Sequence, residues 1–195
     1  MMDVGLTILT YLLGVLFLLI KNNLIAEEII KDLECHKKFN LVEYYECKAN
    51  YYASFMTLDR KRFLLVGDYE NQHAYFHELG HLVFDDFIID SFLYASVLLP
   101  VLLVPLPWNF VGALLLYIAS KWVKKNWERR ADIFAYQMTG LKYSPIQLEK
   151  SKVILLFRWL FETHPPEIVR TKEEYYKKEI PLIKLFIESL VTKLL

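Results

Sequence analysis

The sequence predicts a mainly α-helical protein that carries a short antiparallel β-hairpin or small sheet. Three observations support this fold class. An uncharged apolar run covers residues 4–20, and a helical pattern of apolar and polar residues covers 71–86. Two short stretches rich in aromatic and branched residues, 51–57 and 63–66, flank a charged turn and indicate two paired strands.

The composition limits the classes of protein that the chain can represent. Its 195 residues suffice for one modest domain. The 23 basic and 23 acidic residues balance, which excludes a globally basic nucleic-acid-binding protein, so no nucleic-acid partner is expected. A hydrophobic share of 55% beside 24% charged residues indicates a charged domain with membrane segments. Cys35 and Cys47 form no CxxC pair and predict a reducing compartment without a disulfide scaffold.

The first apolar run is long enough to serve as a membrane anchor. Residues 4–20 would extend about 26 Å as a helix, against a hydrocarbon core about 30 Å thick. We therefore expect an uncleaved transmembrane anchor over 1–22, in contact with the lipid bilayer, and a domain over 23–195. The alternative is a cleaved signal peptide, but the leader is not basic and no small-x-small site follows the run.

A second apolar block, 88–122, interrupts the predicted domain. Pro100, Pro105 and Pro107 lie near its middle, and a straight helix does not accommodate them. The block therefore predicts a hydrophobic hairpin, for which a full crossing and a re-entrant loop both stay open because each arm is short.

The remaining sequence predicts helices. One covers 121–138, and the next begins at Ser144, which is followed by proline and by Gln147 in an N-capping pattern. A break follows at 163–166, and an amphipathic helix covers 182–195.

The segment His77-Glu78-Leu79-Gly80-His81 has the spacing of a zinc site. On a helix, His77 and His81 lie on one face about 6 Å apart, so both imidazoles can bind one Zn²⁺. Glu78 lies beside that face and can act as general base toward a water at the metal. The alternative is a helix whose histidines are solvated or pair with carboxylates. His73, four residues earlier, is interpreted as a flanking residue rather than a fourth ligand.

A catalytic zinc ion takes three protein ligands and leaves a position for water. No histidine occurs in 82–87, so the third ligand must come from elsewhere in the chain. Glu128 and Asp132 lie four apart on one predicted helical face; Glu128 can bind the metal while Asp132 accepts an imidazole N–H. Without the HELGH motif, the sequence around Glu128 would favour a surface ion pair with Arg129 or Lys124 over a metal ligand.

HELGH, a hydrophobic hairpin, ERRAD and then THPP followed by Arg170 resemble, in that order, the HtpX and CAAX prenyl endopeptidase family of membrane metallopeptidases. The resemblance covers about residues 50–170. It implies a zincin-like domain of the gluzincin type with one Zn²⁺ per chain and a protein or peptide substrate. The implied ligands are His77, His81 and Glu128, with Glu78 as catalytic base and Asp132 as support. The small chain, with one membrane helix before HELGH, favours the HtpX-like side.

The resemblance also implies substrate contacts. His164 and Arg170 would face the substrate and help to stabilise the tetrahedral oxyanion, and Asn50 lies in a segment similar to the family's substrate-holding edge strand. From the residues alone, the prolines after His164 fix its backbone, although an ordinary helix–helix turn with an exposed histidine is the alternative.

Basic residues follow both apolar segments, Lys21 after the first and Lys121, Lys124 and Lys125 after the second. The positive-inside rule therefore places both flanks and the active site in the cytoplasm.

The expected function is a membrane-anchored zinc metalloendopeptidase, and the main alternative is a catalytically inactive membrane-anchored zincin-fold binding protein. A di-iron bundle would need its two ExxH motifs on different helices, whereas those at 70–73 and 78–81 fall on one. An intramembrane zinc protease would carry its motif in an apolar helix, whereas polar residues flank HELGH here.

Overall fold

A computed structural model of the chain describes residues 4–68, 70–85, 87–145, 148–149 and 151–192. These residues divide into two compact units. The first unit comprises Met1–Glu70 and His81–Ser120, and the second comprises Asn71–Gly80 and Lys121–Leu195. Each unit is described by itself below.

The secondary structure of the described residues is mainly helical. The strands are β1 (Cys35–Phe39), β2 (Glu43–Lys48), β3 (Ala53–Met56) and β4 (Arg62–Val66). The helices are α1 (Val4–Ile30), α2 (Gln72–Phe84), α3 (Phe87–Ser96), α4 (Leu98–Leu103), α5 (Trp108–Thr139), α6 (Lys152–Phe161), α7 (Glu167–Arg170) and α8 (Leu182–Thr192), with a 3-10 helix at Glu173–Tyr176.

The first unit contains a mixed four-stranded sheet with the strand order β1-β2-β4-β3. The predicted pairing of β3 with β4 is confirmed, since the two strands run antiparallel with Ala53 opposite Leu65. The prediction of an entirely antiparallel sheet is wrong, because β2 pairs with β4 in parallel. Phe63, Leu64 and Leu65 of β4 are all buried, as is usual for a central strand between two neighbours.

The two cysteines form a disulfide, which corrects the expectation drawn from their spacing. Cys35 in β1 lies directly opposite Cys47 in β2, with 4.1 Å between the two Cα atoms. Cys47 belongs to the small core under the sheet, where Ile29 and Ile30 at the end of α1 also pack. The register of β1 against β2 places the two cysteines opposite each other, and the sequence pattern does not show this register.

Helix α1 is the described helix that is long and apolar enough to cross a membrane, over Gly5–Ile30. Many of its large apolar side chains are exposed, among them Leu9 and Leu13 at 53% and 55%. The same features fit a membrane span or a signal sequence. The helix ends at Ile30, eight residues beyond the predicted anchor, because helical spacing continues past Lys21.

The second apolar block folds as α3 and α4, a break at 104–107, and the first turns of α5. A Cβ atom on Gly112 would lie 2.8 Å from Cβ of Pro100, so α4 and α5 pack closely at this glycine. The predicted return arm and the predicted helix over 121–138 are one continuous helix, α5. Whether the hairpin crosses a membrane stays a prediction.

The core of the second unit lies between α5, α6, α8 and the 3-10 helix. Trp159 stacks on Phe186 with ring centroids 4.0 Å apart. The Arg129 guanidinium donates to the backbone carbonyls of Tyr175 and Ile180 and holds this loop against α5. The predicted helix start at Ser144 is wrong, because α6 begins at Lys152 with Ser151 as its N-cap; Gln147 lies outside the described residues.

Candidate metal site

The candidate site lies in the second unit, where α2 meets α5. A Cβ atom on Gly80 would lie 3.3 Å from Cα of Ala131 and 3.1 Å from the Phe134 ring, so the two helices approach closely at this glycine. That approach brings His77 on α2 beside Glu128 and Asp132 on α5.

Three side chains form a group that could hold a metal ion. One ligand atom each from His77, Glu128 and His164 lies within 4.8 Å of the others. Oε2 of Glu128 is 3.2 Å from Nε2 of His77 and 3.0 Å from Nε2 of His164. Two imidazoles and one carboxylate are a usual donor set for catalytic zinc. The His164 side chain is 53% exposed, which leaves this side of the group open to solvent.

Asp132 is fully buried and joins four segments of the second unit. Its Oδ1 lies 2.8 Å from Nδ1 of His77 and accepts from Nη2 of Arg170 at 2.7 Å. Its Oδ2 accepts from Nε of Arg170 and from the Tyr175 hydroxyl, both at 2.8 Å. Burial acts to raise the pKa of Asp132, but Arg170 and His77 together hold it well below its usual range. The carboxylate is therefore ionised and only accepts hydrogen bonds.

The ionised Asp132 fixes the orientation of the His77 ring. Nδ1–H donates to the carboxylate, so Nε2 is directed toward Glu128. Burial lowers the pKa of His77, but Asp132 and Glu128 outweigh it and raise that pKa to about 10. The imidazole is therefore protonated at neutral pH. A metal ion that binds at Nε2 must displace the proton on that nitrogen.

Arg170 is held between Asp132 and Tyr143. Its guanidinium forms a bidentate pair with Asp132 and lies 3.5 Å from the centroid of the Tyr143 ring. Arg170, Tyr143 and His164 also line a cleft of about 280 Å³. The expected oxyanion contact from His164 and Arg170 stays a prediction, with both residues on this cleft.

His73 flanks the group as a neutral ring. Its ring stacks on His77 at 6.3 Å between centroids, and it is 8% exposed. Burial lowers the pKa of His73 to about 4, in spite of the opposing Asp132 charge.

The group differs in one member from the ligand set that the motifs predict. His77 and Glu128 belong to both, while the group contains His164 where the prediction has His81. His81 lies one turn after His77 on α2, and its role as a ligand stays a prediction, as does that of Glu78 as base. Asn50 lies exposed on the bend between β2 and β3 in the first unit, and its substrate contact also stays a prediction.

Sequence reasoning missed residues that build the site, among them Tyr143 against Arg170, Tyr175 and Glu149. Tyr175 binds Asp132 from 43 positions away, and no local pattern marks it. Glu149 is buried and accepts from the backbone N–H groups of Glu167 and Ile168, at 2.7 and 3.0 Å. It thereby fixes the start of α7, directly after the prolines that follow His164. Glu149 precedes α7 by many positions, so no local sequence pattern identifies it as the residue that binds the start of this helix.

Comparisons of the chain with protein-family models, with curated proteins and with solved structures give no match. A functional conclusion therefore depends on the motifs and on the geometry of the second unit.

Proposed function

We propose that the protein is a membrane-anchored zinc metalloendopeptidase of the HtpX-like gluzincin type. One observation carries the proposal: His77 of the HELGH motif lies in a three-residue group with Glu128 and His164, and its other ring nitrogen binds the buried Asp132. A carboxylate that orients a ligating imidazole is usual in zinc enzymes.

The residues that would hold the metal are His77 and Glu128, with His81 or His164 as the third ligand. A bound zinc ion polarises a substrate carbonyl and lowers the pKa of water. Glu78 would take the proton of the attacking water and pass it to the leaving amine. Asp132 keeps Nε2 of His77 directed at the group, and His164 and Arg170 would stabilise the negative charge of the oxyanion.

We expect the wild-type protein to bind one zinc ion per chain, and Glu128→Gln to bind zinc at least about tenfold more weakly, since it loses an anionic ligand. Zinc titration of the purified full-length protein, with metal content measured by mass spectrometry, checks this. Glu188→Gln, on an exposed glutamate of α8, is the matched control and should bind like wild type.

His81→Ala and His164→Ala identify the third ligand in the same titration, because only the ligand's loss weakens zinc binding strongly. A wild-type protein that folds without binding zinc would contradict the proposal, and two irons per chain would favour the di-iron bundle instead.

We propose that α1 anchors the chain with the site in the cytoplasm, as the basic residues after each apolar segment indicate. The Cys35–Cys47 bond argues for the other side, because disulfides persist in oxidising compartments. In the cytoplasmic orientation the two thiols would be reduced in the cell.

The orientation predicts the redox state of the two cysteines. We expect both to react with a maleimide polymer when cells are quenched in acid and the protein is denatured without reductant, which gives two gel shifts. Cys35→Ser should give one shift. If wild type shifts only after reduction, the sheet faces an oxidising compartment and the cytoplasmic orientation is wrong.

A further inference from the structure

The first unit contains a cavity that the proposed peptidase chemistry does not use. Its volume is about 310 Å³, within the range of small-molecule sites. It is open on one side and is lined by the C-terminal half of α1, the end of β3 with the turn that follows, and the start of α3. Most of the wall is apolar, with Leu19, Ala26, Ile29, Phe55, Met56 and Phe87 among the lining residues.

Hydrogen bonds hold the three walls together. The side-chain oxygen of Asn23 on α1 accepts from the backbone N–H of Leu58, at 2.8 Å, and fixes the turn against the helix. The hydroxyl of Tyr11 on α1 donates to the carbonyl of Phe92 on α3, at 3.3 Å. These two hydrogen bonds fix the position of α1 against the turn and against α3, which form the other walls of the cavity.

One buried polar group at the cavity, the Ser91 hydroxyl, is unsatisfied within the described residues. The Ser91 hydroxyl is buried, with the residue 1% exposed, and it has no hydrogen-bond partner in the part of the chain that the structure describes. A buried hydroxyl without a partner is uncommon in native proteins. Arg60, also on the wall, is exposed and forms no ion pair with any described residue. The remaining charged side chain of the wall is Asp90.

We propose that this cavity binds the acyl chain of a membrane amphiphile, with Arg60 at its polar head. An apolar wall with a few polar groups suits an alkyl chain that ends in an oxygen-rich head. The wall is formed in part by α1, the helix that is long and apolar enough to lie in a bilayer, and the proposal rests on the membrane anchor proposed above, which would bring lipid to the cavity. The head can belong to a free fatty acid or to a phospholipid.

The test uses the full-length protein in lipid nanodiscs and a palmitic-acid analogue with a diazirine close to its carboxyl group. We expect photolabelling to concentrate on 55–60 and 87–91 and to be displaced by unlabelled palmitic acid. Ala26→Phe places a ring in the cavity and should abolish most of this labelling. Leu13→Phe introduces the same ring on an exposed position of α1 and should leave the labelling unchanged.

Arg60→Asn tests the head contact without altering the core, since Arg60 is exposed and its backbone φ of 62° is one that asparagine tolerates. It should weaken labelling by the acid about twofold to fivefold, as expected for an exposed charge contact, and leave that by the matching alcohol unchanged. This variant keeps the test valid if Ala26→Phe does not fold, which its thermal unfolding midpoint reveals.

A diazirine phospholipid in place of the acid distinguishes the two sources. Labelling of the same peptides identifies bilayer lipid as the ligand, and labelling by the acid alone identifies free fatty acid. Labelling spread evenly along α1, or displacement by an apolar peptide but not by palmitic acid, would overturn the proposal. None of these measurements depends on zinc or on peptide cleavage.

Discussion

Glu78→Gln should lower the rate of peptide hydrolysis by about 10²–10⁴-fold, the usual contribution of a general base. Glutamine keeps the size and hydrogen-bonding reach of the side chain but cannot take a proton from water. Zinc binding should stay at the wild-type level, because Glu78 is not among the proposed ligands. Cleavage of a casein or membrane-protein substrate, measured beside zinc content, checks both statements.

Glu70→Gln is the matched control for this experiment. Glu70 is exposed and precedes α2, so the exchange removes one carboxylate near the motif without affecting the proposed base. Equal cleavage by wild type and Glu78→Gln would refute the assignment of the base. A wild-type protein that binds zinc but cleaves no substrate would favour the inactive binding protein.

Asp132→Ala should destabilise the second unit by about 3–5 kcal/mol, because it leaves the Arg170 guanidinium buried without its counter-charge. The two hydrogen bonds from Arg170 and the one from Tyr175 are lost together. The measurement is the free energy of unfolding in urea. Glu188→Gln, on the exposed face of α8, should change that free energy by less than about 0.5 kcal/mol.

Two further measurements separate this network from simple loss of packing. In Asp132→Ala with Arg170→Leu, part of the loss should be recovered, since no unpaired charge stays buried. The pKa of Asp132 is lowered in the folded state, so its stabilisation is present at neutral pH and is lost as the pH falls below about 4. Wild type should therefore lose stability on acidification more steeply than the variant. Identical acid profiles would contradict the role given to Asp132.

The elements that sequence predicted well are those fixed by neighbouring residues. The helix of the HELGH motif was predicted over 71–86 and is found at Gln72–Phe84. The pairing of β3 with β4 follows from a local hairpin pattern. The parallel pairing of Tyr45 with Phe63 does not, because it joins strands that are separated by another strand in sequence. Strand β1 is largely exposed, so no alternation of apolar residues revealed it.

Tertiary contacts decided the remaining outcomes. The sequence predicted a helix start at Ser144, but α6 begins at Lys152 with Ser151 as its N-cap. Glu149, between the two serines, binds the start of α7 instead. Within the candidate site, the contact of Asp132 with His77 follows from a four-residue helical spacing on α5. The Tyr175 hydroxyl donates to the Asp132 carboxylate, and the Tyr143 ring packs on the Arg170 guanidinium. Both tyrosines lie in distant segments, and only the folded chain shows these contacts.

The four-way junction at Asp132 restricts how this protein can diverge. His77, Arg170 and Tyr175 come from three different segments and meet one carboxylate on α5. Exchange of Asp132 or Arg170 alone leaves a buried charge without its partner. A descendant of this protein could therefore lose the ion pair only by exchanging both residues, so positions 132 and 170 should change together or stay as they are.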